Sequence, residues 1–218
     1  MRLGIIRVLT TQDSTLLNSH GQVIAEEFGV DTVSRCIPDQ PRGVHSPTTF
    51  EQAAPKVAKL ASAMSAHDDV DAILLSCAAD PGLESARAAS RVPVVGAGSS
   101  AACEAMGLGE RVGVLDLTAR TPLAVTARLG DRLLTATVPD GVTESRDLLT
   151  DVGRRAARSG AADLVAQGAD VVLLACTGMT TIGLRHHLEG DLEVPVVDAV
   201  LAGARAAIAA AAETASTP

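Results

Sequence analysis

The amino-acid sequence predicts an α/β fold of two pseudo-symmetric, doubly wound parallel-sheet domains, with the functional site between them. The first observation is length, because 218 residues that are 47% hydrophobic suit two domains of about 100 residues each. The second is an internal repeat of the sequence. The third is the alternation of short, continuously apolar runs with alanine-rich stretches, which is typical of buried parallel strands joined by helices.

Four segments of the first half recur in the same order in the second half, each roughly 100 residues further along the chain. The pairs are RLGIIRVLT with RVGVLDLT, CIPD with TVPD, DAILLSC with DVVLLAC, and VPVVGAG with VPVVDAV. Only two copies are present, so the pattern predicts a duplicated domain rather than a solenoid of many repeats.

The elements of the first half follow from its β-branched runs, which end at small or turn-forming residues. These runs predict strands at 3–9, 31–37, 71–76 and 92–95. Stretches rich in alanine and polar residues separate them and predict crossover helices at 14–28, 51–66 and 82–90.

The second half repeats this order. Its strands are predicted at 112–117, 132–138, 170–175 and 194–197, and its helices at 144–167 and 198–214. We therefore assign residues 1–98 plus 199–218 to one α/β domain and residues 99–198 to the other. Because ligands of doubly wound sheets bind beyond the carboxyl ends of the strands, the site is expected at those ends.

Two of the four cysteines stand at equivalent points of the repeat. Cys77 and Cys176 each follow the third strand of their half, whereas Cys36 and Cys103 have no counterpart and are expected to fill the core. In a cytoplasmic protein all four would be free thiols. None is spaced for a C-x-x-C metal or redox pair.

Two thiols on opposite sides of one cleft suit proton transfer at a carbon atom. One thiolate removes a proton from one face of the carbon, and the other thiol returns a proton to the opposite face. The ordinary thiol pKa of about 8.5, and the helix start after each cysteine, are expected to make the thiolate accessible. Ala78 and Ala79 in one half, and Thr177 and Gly178 in the other, are small enough for backbone N–H groups to approach a carboxylate or enolate oxygen.

The segments SCAADPGLESAR, VPVVGAGSSAA and LACTGM make the chain resemble the aspartate/glutamate/hydantoin racemase superfamily, in particular its hydantoin-racemase-like branch. The resemblance implies a cofactor-independent racemase or epimerase that acts on a small amino-acid or hydantoin-type substrate, with Cys77 and Cys176 as its acid/base pair. It also implies a homo-oligomer. The residues it implies for substrate binding are the backbone amides of Ala78, Ala79, Thr177 and Gly178, with Thr10 and Thr118 lining the pocket.

Other functions stay open at this point. The superfamily also contains isomerases with both cysteines, so an isomerase acting on a small dicarboxylate is one alternative. The segment GAGSSA, with Asp116 at the end of the next strand, imitates a dinucleotide fingerprint and would indicate an NAD-type dehydrogenase. A non-catalytic protein that binds a small ligand could use the same cleft, and replacing either cysteine by serine would then spare affinity.

Composition and charge exclude several classes of partner. A net charge of -8 does not attract nucleic acid or an anionic membrane, and no tryptophan or tyrosine is present to stack on bases. No apolar window is long enough for a membrane span, and the N-terminus lacks the features of a signal peptide. The five histidines are not spaced as metal ligands. The sequence therefore predicts a cytoplasmic protein that acts on a small molecule without a metal ion.

Three further residues allow a structural as well as a functional interpretation. Asp80, which precedes a proline, is expected to cap the helix at 82–90. His45 lies in a loop at 39–49 that is rich in proline and glycine and would be either a solvated connection or a lid. Arg7, near the end of the first strand, would neutralise an anionic substrate or form a surface salt bridge.

Overall fold

Two four-stranded parallel sheets, one from each half of the chain, form the framework of the protein. The structure is a computed structural model and describes residues 1–118 and 120–216. Counted within each half, the strand order is 2-1-3-4 in both sheets. The predicted pair of pseudo-symmetric, doubly wound α/β units is therefore confirmed.

The first half contains β1 (Arg2–Arg7), α1 (Ser14–Phe28), β2 (Asp31–Cys36), α2 (Pro47–His67), β3 (Ala72–Ser76), α3 (Leu83–Ala89) and β4 (Val94–Gly96). These strands and helices lie where the sequence predicted them, with small shifts of their ends. Local sequence explains the helix starts. Asp13 caps α1 by accepting hydrogen bonds from two backbone N–H groups, and Ser46 caps α2 with Pro47 in its first turn.

The second half contains α4 (Ala97–Leu108), β5 (Val112–Leu115), α5 (Leu123–Leu129), β6 (Leu133–Thr137), α6 (Asp151–Ala166), β7 (Val171–Leu174), α7 (Thr177–Thr181), α8 (Leu184–Asp191), β8 (Val196–Asp198) and α9 (Ala199–Ala215). All four predicted strands and the last helix are confirmed. The helix predicted at 144–167 begins later, because a 3-10 turn at Asp147–Leu149 comes first and Thr150 then caps α6.

Four helices of the second half are absent from the sequence-based prediction: α4, α5, α7 and α8. The first turn of α4 is formed by GAGSS, whose small residues indicate a loop rather than a helix. Helices α5 and α7 have only 7 and 5 residues, too few for a clear helical period. Their positions therefore depend on the tertiary structure around them.

Helices α4 and α9 exchange sides between the two sheets. Helix α4 follows β4 of the first sheet but packs mainly against β7 and β8 of the second, and α9 follows β8 but packs against β3 and β4. The two helices also pack on each other, and small residues allow the close approach. A Cβ atom added to Gly203 of α9 would lie 3.1 Å from the Cα atom of Ala97 in α4. The sheets are thus joined by a shared pair of helices.

One continuous apolar core runs from one sheet to the other through α4 and α9. It includes Leu3 and Leu74 of the first sheet and Val114 and Leu173 of the second, together with the inward-facing alanines of both helices. Two smaller clusters lie beneath α2 and beneath α6. The central strands β1, β3, β5 and β7 are almost entirely buried, whereas the edge strands β2 and β6 are only partly covered.

Within residues 1–118 and 120–216, no helix combines the length and the apolar character that crossing a lipid bilayer requires.

Candidate active site

A cavity of about 440 Å³ lies between the two sheets, at the carboxyl ends of their central strands. All eight residues that the sequence singled out for the site line this cavity: Cys77, Ala78, Ala79, Cys176, Thr177, Gly178, Thr10 and Thr118. Strand register explains the convergence. Arg7, the last residue of β1, pairs with Ser76, the last residue of β3, so the segments after both strands start at the same edge.

Each cysteine sulfur interacts with a backbone N–H group two residues further along. The N–H group of Gly178 lies 3.3 Å from Cys176 Sγ, where Cys176 caps the short helix α7. The N–H group of Ala79 acts on Cys77 in the same way. The repeat therefore places two similar thiol environments on the two sides of the cavity.

Burial dominates the chemistry of both thiols. It raises the pKa of Cys77 and of Cys176 to about 12, and the negative charge of Asp116 raises both further. The backbone N–H groups described above act in the opposite direction but do not offset burial. The expectation of an accessible thiolate is therefore wrong for this state of the protein, in which both thiols are protonated at neutral pH.

Asp116 is a buried carboxyl group of the cavity wall whose place in the site the sequence interpretation missed. It follows β5 directly, and its two oxygens accept hydrogen bonds from the Leu117 N–H group at 2.7 Å and the Thr118 hydroxyl at 3.3 Å. Burial raises its pKa to about 6. A signal was present, because RLGIIRVLT and RVGVLDLT align Arg7 with Asp116 and so place two charged residues at equivalent strand ends.

Arg7 also lines the cavity and is only 3% exposed. Its Nη1 atom donates hydrogen bonds to the carbonyl groups of Leu16 and Leu17, at 2.6 and 3.1 Å, and to the Ser19 hydroxyl at 3.2 Å. Burial lowers its pKa to about 10, so the guanidinium stays charged at neutral pH. The surface salt bridge allowed by the sequence is wrong, because Arg7 holds the start of α1 in the interior.

The hydroxyl groups of Thr10 and Thr118 shape the cavity wall. The Thr10 hydroxyl donates to the carbonyl group of Ile37 and accepts from the N–H group of Gln40, both at 2.7 Å. The Thr118 hydroxyl lies 2.8 Å from the carbonyl oxygen of Arg120. Both threonines thus fix the loops that follow the strands.

Loops from the two halves meet over the cavity. The segment from Pro41 to Pro47 lines it from the first half, and His45 is part of this lining. Arg42 Nε donates a hydrogen bond to Glu144 Oε2 of the second half at 3.0 Å. The 39–49 loop is therefore tied to the other half by an ion pair.

The segment GAGSSA forms the start of α4, where Asp80 occupies the position that a dinucleotide phosphate would take. Its carboxylate accepts hydrogen bonds from the N–H groups of Gly98 and Ser99 at 3.0 and 2.8 Å. A Cβ atom at Gly96 or Gly98 would collide with Asp80 or with the carbonyl oxygen of Ala78. The glycines therefore serve close packing, which removes the observation that favoured a dehydrogenase.

Asp80 was expected to cap the helix at 82–90, and this detail is wrong. Helix α3 starts after Gly82, and Asp80 caps α4 instead. The second half has a related contact, in which Asp198 caps α9 and accepts a hydrogen bond from the Thr180 hydroxyl at 2.8 Å. Each cysteine-bearing segment is thereby tied to the start of an exchanged helix.

The two remaining cysteines take no part in the cavity lining. Cys36 is partly buried, with its sulfur 3.7 Å from the carbonyl oxygen of Thr11. Cys103 is exposed, so the expectation that it fills the core is wrong. In the described part of the chain, no group of three or more histidine, cysteine, aspartate or glutamate side chains could hold a metal ion.

Comparison with known proteins agrees with this geometry. A family model described as Asp/Glu/Hydantoin racemase matches residues 16–207. A hydantoin racemase from Pseudomonas sp. (strain NS671) is 33% identical over 151 residues, which span 63% of this chain and 57% of that protein. The allantoin racemase structure from Klebsiella pneumoniae has a TM-score of 0.84 at 21% identity, covering 98% of this chain and 89% of its own. That of Pseudomonas fluorescens has a TM-score of 0.78 at 25% identity, covering 96% and 90%.

Proposed function

The chain belongs to the Asp/Glu/Hydantoin racemase family, and we propose that it is a cofactor-independent racemase or epimerase that uses Cys77 and Cys176 as its acid/base pair. The resemblance predicted from the sequence is confirmed, and the predicted enzyme class, an isomerase, is the class of this family. The observation that carries the proposal is that two cysteines at equivalent strand ends, one from each half, line a single cavity. The homo-oligomeric state and the cytoplasmic location stay predictions.

The reaction needs one ionised and one protonated sulfur. The thiolate takes the proton from the carbon next to the carbonyl group, and the other thiol gives its proton to the opposite face of the planar intermediate. The sulfur that began as a thiolate ends as a thiol, so the reverse reaction uses the pair with exchanged roles. Backbone N–H groups at Ala79 and Gly178 stabilise whichever sulfur is ionised.

Charge develops on the carbonyl oxygen of the substrate when the proton leaves. We assign the backbone N–H groups of Ala78 and Thr177 to this enolate oxygen, because the neighbouring amides of Ala79 and Gly178 are directed at sulfur. The small side chains of these turns allow the approach. The threonines at 10 and 118 keep the surrounding loops in place.

Asp116 supports a hydantoin-type substrate over an α-amino acid or a dicarboxylate. A buried carboxylate near both sulfurs accepts a hydrogen bond from a ring N–H group, whereas it repels a substrate carboxylate in the same space. The relative that is 33% identical is a hydantoin racemase, which agrees with this choice. Apolar residues of the wall, including Phe50, Leu123 and Leu149, would receive the substituent of the ring.

The test follows a single enantiomer of several 5-substituted hydantoins, allantoin and α-amino acids in deuterium oxide. Mass increase reports proton exchange, and chiral chromatography reports inversion. We expect inversion of the hydantoin-type compounds by the native protein. Cys77→Ser and Cys176→Ser should each lower inversion by about 10²–10⁴-fold, the usual contribution of a general acid or base, while one-sided exchange of one enantiomer persists.

Cys103→Ser is the matched control, because Cys103 is exposed and does not line the cavity, and it should leave the rate unchanged. Normal inversion by both active-site variants would refute the mechanism. If the native protein binds these compounds without exchange or inversion, and both variants bind equally well, the protein is a ligand-binding member of the family instead.

A further inference from the structure

A buried histidine joins the two cysteine-bearing segments. His20 of α1 is fully buried, with its Nδ1 atom 2.7 Å from Ser76 Oγ and its Nε2 atom 3.0 Å from Thr181 Oγ1. Ser76 directly precedes Cys77 in the first half. Thr181 is the last residue of α7, the helix that begins after Cys176 in the second half. One side chain thus contacts both halves beside the two sulfurs.

The surroundings of His20 keep its ring neutral. Burial and the nearby charge of Arg7 hold the pKa of His20 well below its usual range. A neutral imidazole has one N–H donor and one acceptor nitrogen, so it forms one hydrogen bond with each hydroxyl group. A fully buried polar ring is costly unless both nitrogens have partners, and the two partners come from different halves.

We propose that His20 is a positioning residue that sets the gap between Cys77 and Cys176 by joining Ser76 to Thr181. The proposal rests on the proposed racemase function, in which both sulfurs must reach opposite faces of one carbon in the same complex. A misplacement of about 1 Å can cost roughly 10²-fold in rate. One-sided exchange with solvent needs only one sulfur. Loss of the link therefore reduces inversion more than exchange.

The first experiment measures the gap without reference to activity. In a background carrying Cys36→Ser and Cys103→Ser, the two remaining thiols are cross-linked with dibromobimane at alkaline pH, and the product is identified by peptide mass mapping. His20→Asn keeps an amide within reach of Ser76 but is too short for Thr181, and Thr181→Val removes the second partner. Both should lower the cross-linking yield at least threefold.

Ser34→Ala is the control, because the Ser34 hydroxyl is buried in the same half and finds no hydrogen-bond partner among the described residues. It should cross-link like its parent. Equal cross-linking in all four proteins would overturn the role of His20. No cross-link in the parent would instead contradict the facing cysteines of the proposed function.

The second experiment measures the catalytic consequence in the native background. In deuterium oxide, the ratio of one-sided exchange to inversion should rise at least tenfold in His20→Asn and Thr181→Val. The value of kcat for inversion should fall about 10–100-fold, with KM within threefold of the native value. Thermal unfolding of each variant identifies any that fails to fold. A proportional loss of exchange and inversion in folded variants would show a structural role only and overturn the proposal.

Discussion

The environment of each cysteine sulfur decides which chemistry its thiol can perform. Burial raises both pKa values to about 12, while a backbone N–H group at each sulfur favours the thiolate. Each pKa unit corresponds to about 1.4 kcal/mol, so forming a thiolate at neutral pH is costly before any substrate contributes. Part of the binding energy of the substrate must therefore be used to ionise one sulfur.

The raised pKa values predict slow alkylation of the active-site thiols. A raised pKa keeps the thiol protonated until the pH approaches 12, so iodoacetamide should label Cys77 and Cys176 roughly tenfold faster for each pH unit from about 8 to 11. The exposed Cys103 should be labelled first at pH 7, as an internal reference. Peptide mapping over time gives the rates. A plateau below about pH 9 for either active-site cysteine would contradict the raised pKa.

Asp116→Asn separates the effect of charge from that of burial. The carboxylate raises the pKa of both thiols and, with its own pKa about 6, is ionised above neutral pH. Its removal should speed the labelling of both thiols by about threefold to tenfold at a fixed alkaline pH. Asp131→Asn, at an exposed position of a 3-10 turn, should leave both rates unchanged.

The sequence predicted the cysteine pair and its neighbours but not the residues that join them. Cys77 and Cys176 could be predicted because the repeat marks them twice. His20 could not, because its partners lie 56 and 161 residues away along the chain. The pKa of each thiol also depends on burial by both halves, which composition alone does not reveal.

At the scale of the elements, the helix starts beside the cavity are held by carboxylates. Asp80 links the turn after Cys77 to α4, and Asp198 links Thr180 to α9. The strands were predictable because continuous apolar runs indicate burial on both faces. The start of α4 was not, because its glycines are required by contact with Asp80 and Ala78 rather than by local conformation.

Two glycines of α4 should respond in opposite ways to replacement by alanine. At Gly98 the new Cβ atom would collide with the carbonyl oxygen of Ala78, so Gly98→Ala should lower the free energy of unfolding by more than about 2 kcal/mol. At Gly107 nothing lies within 4 Å, so Gly107→Ala should raise it by about 0.5–1 kcal/mol. Urea unfolding measures both. Equal effects of the two changes would contradict the close contact.

For the molecule as a whole, the exchanged helices bear on where one domain ends and the other begins. The division into residues 1–98 plus 199–218 and residues 99–198 stays a proposal, supported by the packing of α9 on β3 and β4 and of α4 on β7 and β8. A single core passes through both helices. Neither half would keep its sheet covered without a helix from the other.

The shared core predicts one cooperative unfolding transition. Leu74→Ala in the first sheet and Leu173→Ala in the second should each cost about 2–5 kcal/mol and lower the Tm of the same transition, because both side chains belong to one buried cluster. Differential scanning calorimetry measures the transition, and its calorimetric and van't Hoff enthalpies should agree. Two separate transitions, each shifted by only one of the variants, would contradict this coupling.

The alignment of Arg7 with Asp116 at equivalent strand ends gives the otherwise symmetric cavity a direction. A bound molecule then meets a cation at one end and a carboxylate at the other, so mirror-image substrates occupy it with unequal stability. Mirror images have identical free energies in water, and kcat/KM must therefore be the same for both. Any preference that this polarity creates is confined to kcat and KM, which have to change together by the same factor.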